Sequence, residues 1–199
     1  MTILGITGSV GMGKSTACRM LRILGVPVHD ADATVHALLG PAGAAVQAVA
    51  AAFSGVVRDG VIDRAALGAC VFPDPEALSR LENILHPLVR QSEQRFLKQY
   101  QRAGFPLVAL DIPLLFETGG EDRCDYVAVV SAPFSIQKAR VLSRKGMTEE
   151  RLYAILARQM PDYEKRRRAD WVVPTGLGRG VTFRSLHRIV RLLSSGQVG

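Results

Sequence analysis

At 199 residues with 48% hydrophobic content, the chain has enough apolar surface for a full core, shows no disorder signature, and suits one α/β unit better than two independent domains. A net charge of +7 with a pI near 9.8 points to anionic partners without choosing among nucleotides, phosphorylated coenzymes, nucleic acid and membranes. No run reaches the length of a membrane span, and residues 1 to 20 hold no basic segment followed by an unbroken apolar one, so the expectation is a cytoplasmic protein without a membrane partner. Cys18, Cys70 and Cys124 are far apart, odd in number and free of CxxC or Cys/His metal spacing. They read as reduced thiols serving as small core residues.

Ile3 to Thr7 is predicted to be a buried strand, and Lys14 to Leu24 a helix. Between them runs Gly8-Ser9-Val10-Gly11-Met12-Gly13-Lys14-Ser15, followed by Thr16. This fits G-x-x-x-x-G-K-[ST], in which the backbone N–H groups of a glycine-rich turn wrap a polyphosphate, the Lys reaches the outer phosphates and the Ser hydroxyl holds Mg²⁺. With average residue frequencies such a match arises by chance in about 1% of chains of this length, and the strand before it and the helix after it make chance less frequent still. Gly25 stops the helix, and Val26 to His29 reads as a second strand ending in Asp30-Ala31-Asp32. A strand, a helix and a strand within about thirty residues make a parallel unit whose strands end at one edge of the sheet, where open α/β sheets bind ligands. Asp30 or Asp32 is free to cap the next helix while the other faces the ligand.

From Ala33 to about Gly104 the pattern is helical. Ala42 to Phe53 has helical spacing, Asp59-Gly60 reads as a turn, and Asp63 as the cap of a helix from Arg64 to Phe72. Asp74-Pro75-Glu76 opens another helix, His86-Pro87 interrupts or kinks it, and Leu88 to Ala103 continues as a basic amphipathic helix. Such an insertion exceeds what a plain crossover needs and is a candidate substrate-binding subdomain.

Phe105 to Asp111 is the third predicted strand. The carboxylate at its end is placed either to approach Mg²⁺, directly or through water, or to cap the turn at Pro113. The apolar turn Ile112 to Phe116 leads to Glu117, and Asp125 to Val130 forms a fourth strand. Pro133 to Arg144 reads as a helix carrying Lys138, Arg140 and Arg144. Arg140 and Arg144 are four apart on one face, which suits either a solvated basic face or a lid that sets guanidinium groups over phosphates. Gly146 ends that helix and Thr148-Glu149-Glu150 starts the next. Lys165 to Arg168 is a dense basic run without the interleaved aromatics of a nucleic-acid surface. Trp171 to Val173 makes a fifth strand, and Thr182 to Ser194 a closing helix.

Taken together in this order, T-G-S-V-G-M-G-K-S-T, V-H-D-A-D, I-L-H-P, P-L-L-F-E, K-A-R-V-L-S-R, R-Q-M and A-D-W-V-V resemble the dephospho-CoA kinase family from Met1 to the closing helix. The resemblance implies a P-loop NTPase-like three-layer α/β/α fold with a five-stranded parallel sheet. Its core would span residues 1–33, 105–133 and 166–199, with a helical coenzyme-binding insertion over 34–104 and a helical lid over 134–165. The implied reaction is ATP-dependent phosphorylation of the ribose 3′-hydroxyl of 3′-dephospho-CoA, with Mg²⁺, by a monomer or weak homo-oligomer that takes no nucleic acid.

Carried over residue by residue, the loop Gly8 to Thr16 binds ATP through Gly8, Gly11, Met12, Gly13, Lys14, Ser15 and Thr16, with Ser15 and Asp111 toward the metal. Asp32 is the catalytic acid with Asp30 beside it, Arg140 is the lid arginine and Arg144 a second. His86, Leu115 and Glu117 fall in segments around the acceptor. Lys14 and Arg140 would stabilise the transferring phosphoryl group while Asp32 takes the acceptor's proton. Ser9 and Met12 stand where many relatives carry Gly and Ser, both at unconstrained positions of the loop. Pro174-Thr175-Gly176 stands where the family has an Asp-Asn-x-Gly turn near the adenine. The nearest rival is another small P-loop kinase acting on a nucleoside monophosphate or a metabolite alcohol, and D-A-D, H-P and P-L-L-F-E speak against it. A nucleic-acid-binding regulator would leave D-A-D and the insertion without a role.

Overall fold

The computed structural model describes residues 1–58 and 60–195. The chain divides into two compact units, residues 1–29 with 100–199, and residues 30–99. The helices of the inserted stretch bury their apolar faces against one another and so build a core of their own.

The first unit is organised by a five-stranded sheet formed by β1 (Thr2–Thr7), β2 (Val28–Asp30), β5 (Leu107–Asp111), β6 (Tyr126–Ser131) and β7 (Trp171–Pro174), in the order β2-β5-β1-β6-β7. β1 runs parallel to β5 and β6, and β6 to β7. All five residues of β5 are buried, as the run Leu107-Val108-Ala109-Leu110 requires of a strand covered on both faces. Helices α1 (Lys14–Ile23) and α9 (Arg179–Ser194) cover one face. There Ala17, Leu21, Leu186 and Ile189 pack on Leu4, Ile6, Ala109 and Val130. The same unit holds α6 (Phe134–Leu142), α7 (Glu149–Ala157) and α8 (Asp162–Arg168). Thr148 caps α7 by accepting from the Arg151 N–H, as its sequence signal predicts.

The second unit contains α2 (Ala31–Leu38), α3 (Val46–Ala52), a two-stranded hairpin of β3 (Val57–Arg58) and β4 (Val61–Ile62), α4 (Arg64–Val71) and most of α5 (Pro75–Arg102). The hairpin has no counterpart in the sequence reading, since strands of two residues leave no alternation to detect. Its predicted turn includes Asp59, which lies outside the described residues. The core consists of Leu39, Val49, Phe53, Val56, Ile62, Leu67, Val71, Leu81 and Leu85. Asp63 Oδ1 accepts from the Ala65 and Ala66 N–H groups at 3.0 and 3.1 Å, and Asp74 Oδ1 from those of Glu76 and Ala77 at 2.9 and 3.2 Å. Both carboxylates thus satisfy orphan donors of a first helical turn. Pro87 lies inside α5 without ending it. The ring removes one hydrogen bond, and burial of Leu81 and Leu85 in the preceding turns holds the helix in place.

Candidate active site

Parallel strands place the ends of β1, β5, β6 and β7 at one edge of the first unit, and the glycine loop leaves β1 there. Gly11 and Gly13 adopt φ of +77° and +91°, a region that L side chains disfavour. A Cβ at Gly11 would lie 2.6 Å from Val141 Cγ2 and 3.1 Å from the Gln137 carbonyl oxygen. Gly13 is the N-cap of α1 and the first turn carries no acidic residue. The N-terminal N–H groups and the positive end of the helix therefore favour an anion, with no acidic side chain of the first turn to compensate them.

Met12 anchors the loop from within. Its side chain is 2% exposed, and its Sδ accepts the Ala132 N–H at 3.1 Å. The thioether thus does at an unconstrained motif position what a small polar residue could not, filling core space while satisfying a backbone donor.

Lys14 forms an ion pair with Asp111 Oδ1. Asp111 ends β5, opposite Ile6 of β1, and is 3% exposed. The Cys18 thiol lies behind this pair. Burial pushes its pKa up, and the Asp111 carboxylate adds to the shift by repulsion and by accepting its hydrogen, so Cys18 remains a neutral donor. Thr7 Oγ1 donates to the Pro113 carbonyl at 3.1 Å, tying the end of β1 to the turn after β5. Ser15 is exposed at the start of α1 and Thr16 half-buried behind it.

Arg140 reaches the loop from α6. Its Nη2 donates to the Thr175 carbonyl at 2.6 Å, and its Nη1 to Thr175 Oγ1 at 3.2 Å and to the Gly11 carbonyl at 3.4 Å. Arg144 is exposed beyond the end of α6 at Leu142. The shared helix face predicted for Arg140 and Arg144 is therefore absent, because the helix stops in the turns before Gly146. Gln137 Nε2 donates to the Val10 carbonyl at 2.8 Å, and Gln159 Oε1 accepts the Val10 N–H at 3.1 Å. Gln137 carried no signal in the sequence, and Thr175 stood out only within Pro174-Thr175-Gly176, the segment expected near the adenine. Gln159 sits in the quoted R-Q-M motif, which was its only signal.

Glu117 accepts the Met160 N–H at 2.8 Å and pairs with Lys165 at 2.8 Å, and the Lys165 side chain is fully buried. The basic run over α8 is therefore not a uniform charged face. Its first residue points into the core, and Arg168 pairs with Glu164 at 2.8 Å. Leu115 is fully buried, with Cδ1 against Gly5 and Gly120. It packs under the turn, in the segment expected around the acceptor. Of the thiols, Cys18 is buried, Cys124 half-buried and Cys70 exposed, so Cys70 departs from the expected core role: it lies on the outer side of α4.

The remaining candidates belong to the second unit. Asp30 caps α2, its Oδ1 accepting the Ala33 N–H at 2.9 Å. Asp32 is exposed in the first turn of α2, and His86 is exposed on α5. Asp30 is thus the carboxylate of the motif that caps the helix, one of the two arrangements its spacing of two allows.

The family model described as dephospho-CoA kinase matches residues 2–176. The chain belongs to this family. A dephospho-CoA kinase of Rhodospirillum rubrum is 59% identical over 98% of this chain and 92% of its own length. One of Paramagnetospirillum magneticum is 69% identical over 83% and 78%. Among solved structures, a protein from Thermus thermophilus aligns with a TM-score of 0.83 at 37% identity, over 100% of this chain and 98% of its own. The dephospho-CoA kinase of Campylobacter jejuni aligns at 0.74 and 25%, over 98% of each chain.

Proposed function

We infer that this chain transfers the γ-phosphoryl group of ATP to the ribose 3′-hydroxyl of 3′-dephospho-CoA, yielding CoA and ADP. The observation that carries this is the match to the Rhodospirillum rubrum kinase over nearly the full length, which takes in the acceptor-side segments as well as the glycine loop. Phosphoryl transfer asks little covalent chemistry of a protein, so the residues act by positioning groups and neutralising charge.

The loop N–H groups and the start of α1 hold the phosphates. Lys14 exchanges Asp111 for phosphate oxygens, and Arg140 adds a guanidinium from α6, with Arg144 available from the following turn. Asp32 accepts a hydrogen bond from the attacking hydroxyl and then its proton. Its assignment rests on the D-A-D motif. Asp30 supports it by fixing the first turn of α2, and His86 and Glu117 belong to the segments assigned to the acceptor.

The Ser15 hydroxyl and the Asp111 carboxylate are hard oxygen donors of the kind Mg²⁺ takes when it binds through one or two protein groups plus substrate phosphates. Bound there, the ion would neutralise charge on the phosphate oxygens. The helices over residues 134–165 serve as a lid that excludes water, and the insertion over 34–104 receives the coenzyme. The reading carries with it a cytoplasmic location and a monomer or weak homo-oligomer that takes no nucleic acid. Among the described residues no helix is long and apolar enough to cross a membrane.

Incubation with MgATP and dephospho-CoA, followed by chromatography for CoA, tests the assignment. CoA should accumulate with ADP in equal amounts. ATP turnover only with AMP, CMP or a small alcohol would replace it with another kinase activity.

A further inference from the structure

The phosphate loop is held from outside by its carbonyl groups. Three consecutive oxygens, those of Val10, Gly11 and Met12, accept from three different side chains: Gln137 Nε2 at 2.8 Å, Arg140 Nη1 at 3.4 Å and Thr175 Oγ1 at 2.6 Å. In a trans peptide the N–H points opposite to its C=O. Drawing these oxygens outward therefore turns the N–H groups that follow them toward the inner side of the loop, where the Met12 N–H closes on the Ser9 carbonyl at 3.1 Å.

Thr175 is the shortest and best-fixed of the three braces. It is 8% exposed, its N–H donates to the Ser131 carbonyl at 2.8 Å, and its carbonyl accepts Arg140 Nη2 at 2.6 Å. The side chain packs against Gly13, where an added Cβ would lie 3.3 Å from both Thr175 Cβ and Oγ1. Its hydroxyl has one hydrogen, given to Met12, and a lone pair that accepts from the Arg140 guanidinium at 3.2 Å. A cation donating to a hydroxyl makes that hydroxyl a stronger donor in turn. Charge on Arg140 thus reaches the Met12 carbonyl through Thr175.

We propose that Thr175 is a positioning residue for nucleotide phosphates, its hydroxyl setting the orientation of the loop peptides at Met12 and Gly13 and holding Arg140 against the loop. The proposal rests on the reading that this loop binds ATP. It gives the Pro174-Thr175-Gly176 segment a task at the phosphates, carried by the hydroxyl at the end of β7.

Valine carries a methyl where threonine has the hydroxyl, so Thr175→Val keeps the branched shape while leaving the Met12 carbonyl without its donor. The Kd for MgADP, measured by calorimetry, should rise about tenfold, as removal of a supporting hydrogen bond behind a ligand site does. The KM for MgATP should follow, the KM for dephospho-CoA should stay unchanged, and Thr175→Ser should restore nucleotide affinity. Nucleotide affinity equal to that of the unmodified protein in Thr175→Val, or a serine variant as weak as the valine one, would overturn the proposal. Equal weakening toward both substrates would likewise assign Thr175 to packing alone. Should Thr175→Val not fold, Thr175→Cys, with a weak donor in the same place, is measured against the same outcomes. Nucleotide binding is read without the acceptor, so a tenfold loss of MgADP affinity in a protein that makes no CoA would support the brace and sink the acceptor assignment.

Discussion

Lys14 and Asp111 illustrate how far a single side chain can be understood from spacing. The position of Lys14 follows from the motif, because a lysine one residue past the last loop glycine starts the helix beside the phosphates. Asp111 was legible as an acid at a strand end, though its ion pair with Lys14 required the β1–β5 register. Thr175 was not legible, since its partner Met12 is 163 positions away and only the neighbouring ends of β6 and β7 bring the two together. Lys165 was likewise hidden, because nothing in Lys165-Arg166-Arg167-Arg168 marks the first as the one turned inward. At this scale the acid of the D-A-D motif carries a direct prediction. Asp32→Asn keeps the size and removes the basicity, so kcat should fall by a factor on the order of 10² with the KM for ATP little changed. Turnover near that of the unmodified protein would remove Asp32 from the role of base.

The Glu117–Lys165 pair works between elements, joining the turn after β5 to α8 and, through the Met160 N–H, to the segment that carries Gln159. Glu117→Gln would leave the buried Lys165 ammonium without a counter-charge, and since Glu117 itself keeps some exposure the loss should reach at most the roughly 3–5 kcal/mol of a fully buried pair. The double variant Glu117→Gln with Lys165→Met should recover much of that loss in urea unfolding. An additive double variant would show the pair to be uncoupled.

The cap of α4 gives a second element-scale prediction. The Ala66 N–H, followed by Arg58 and the Ala65 N–H, holds the Asp63 carboxyl below the usual carboxylate range. A depressed folded-state pKa stabilises the fold above the unfolded value, and that contribution disappears as pH falls through the folded pKa. Asparagine caps a helix as well as aspartate, so Asp63→Asn isolates the charge. The variant should melt below the unmodified protein at neutral pH, and the gap should close as the solution is acidified below the carboxylate range. A gap independent of pH would assign the loss to the cap geometry instead.

For the molecule as a whole, the sheet and the flanking helices were readable because strand and helix periods differ so clearly around the loop. What the helices of the inserted stretch pack against was not, because amphipathic helices show that a face is buried without showing against what. The net charge of +7 belongs at this scale too. Two of the four basic residues from Lys165 to Arg168 are engaged by Glu117 and Glu164, which thins the patch that a nucleic acid would need. Excess positive charge draws in polyanionic substrates and is screened by salt. Raising KCl should therefore lower kcat/KM for dephospho-CoA while leaving kcat almost constant. Submicromolar binding to duplex DNA with a steep salt slope would argue instead for a nucleic-acid partner.

The pairing of β1 has a consequence for how the protein comes into being. Thr2 pairs with Leu107 and Leu4 with Tyr126, so both neighbours of the strand that launches the phosphate loop are translated long after it. Residues 30–99 form a contiguous unit with its own core and can assemble on the ribosome while β1 still lacks partners. Closing so long a loop is slow and leaves an apolar strand edge exposed. Nascent chains halted before Leu107 should therefore present Ile3 to Thr7 to chaperones and proteases, and chains halted after Ser131 should hide it.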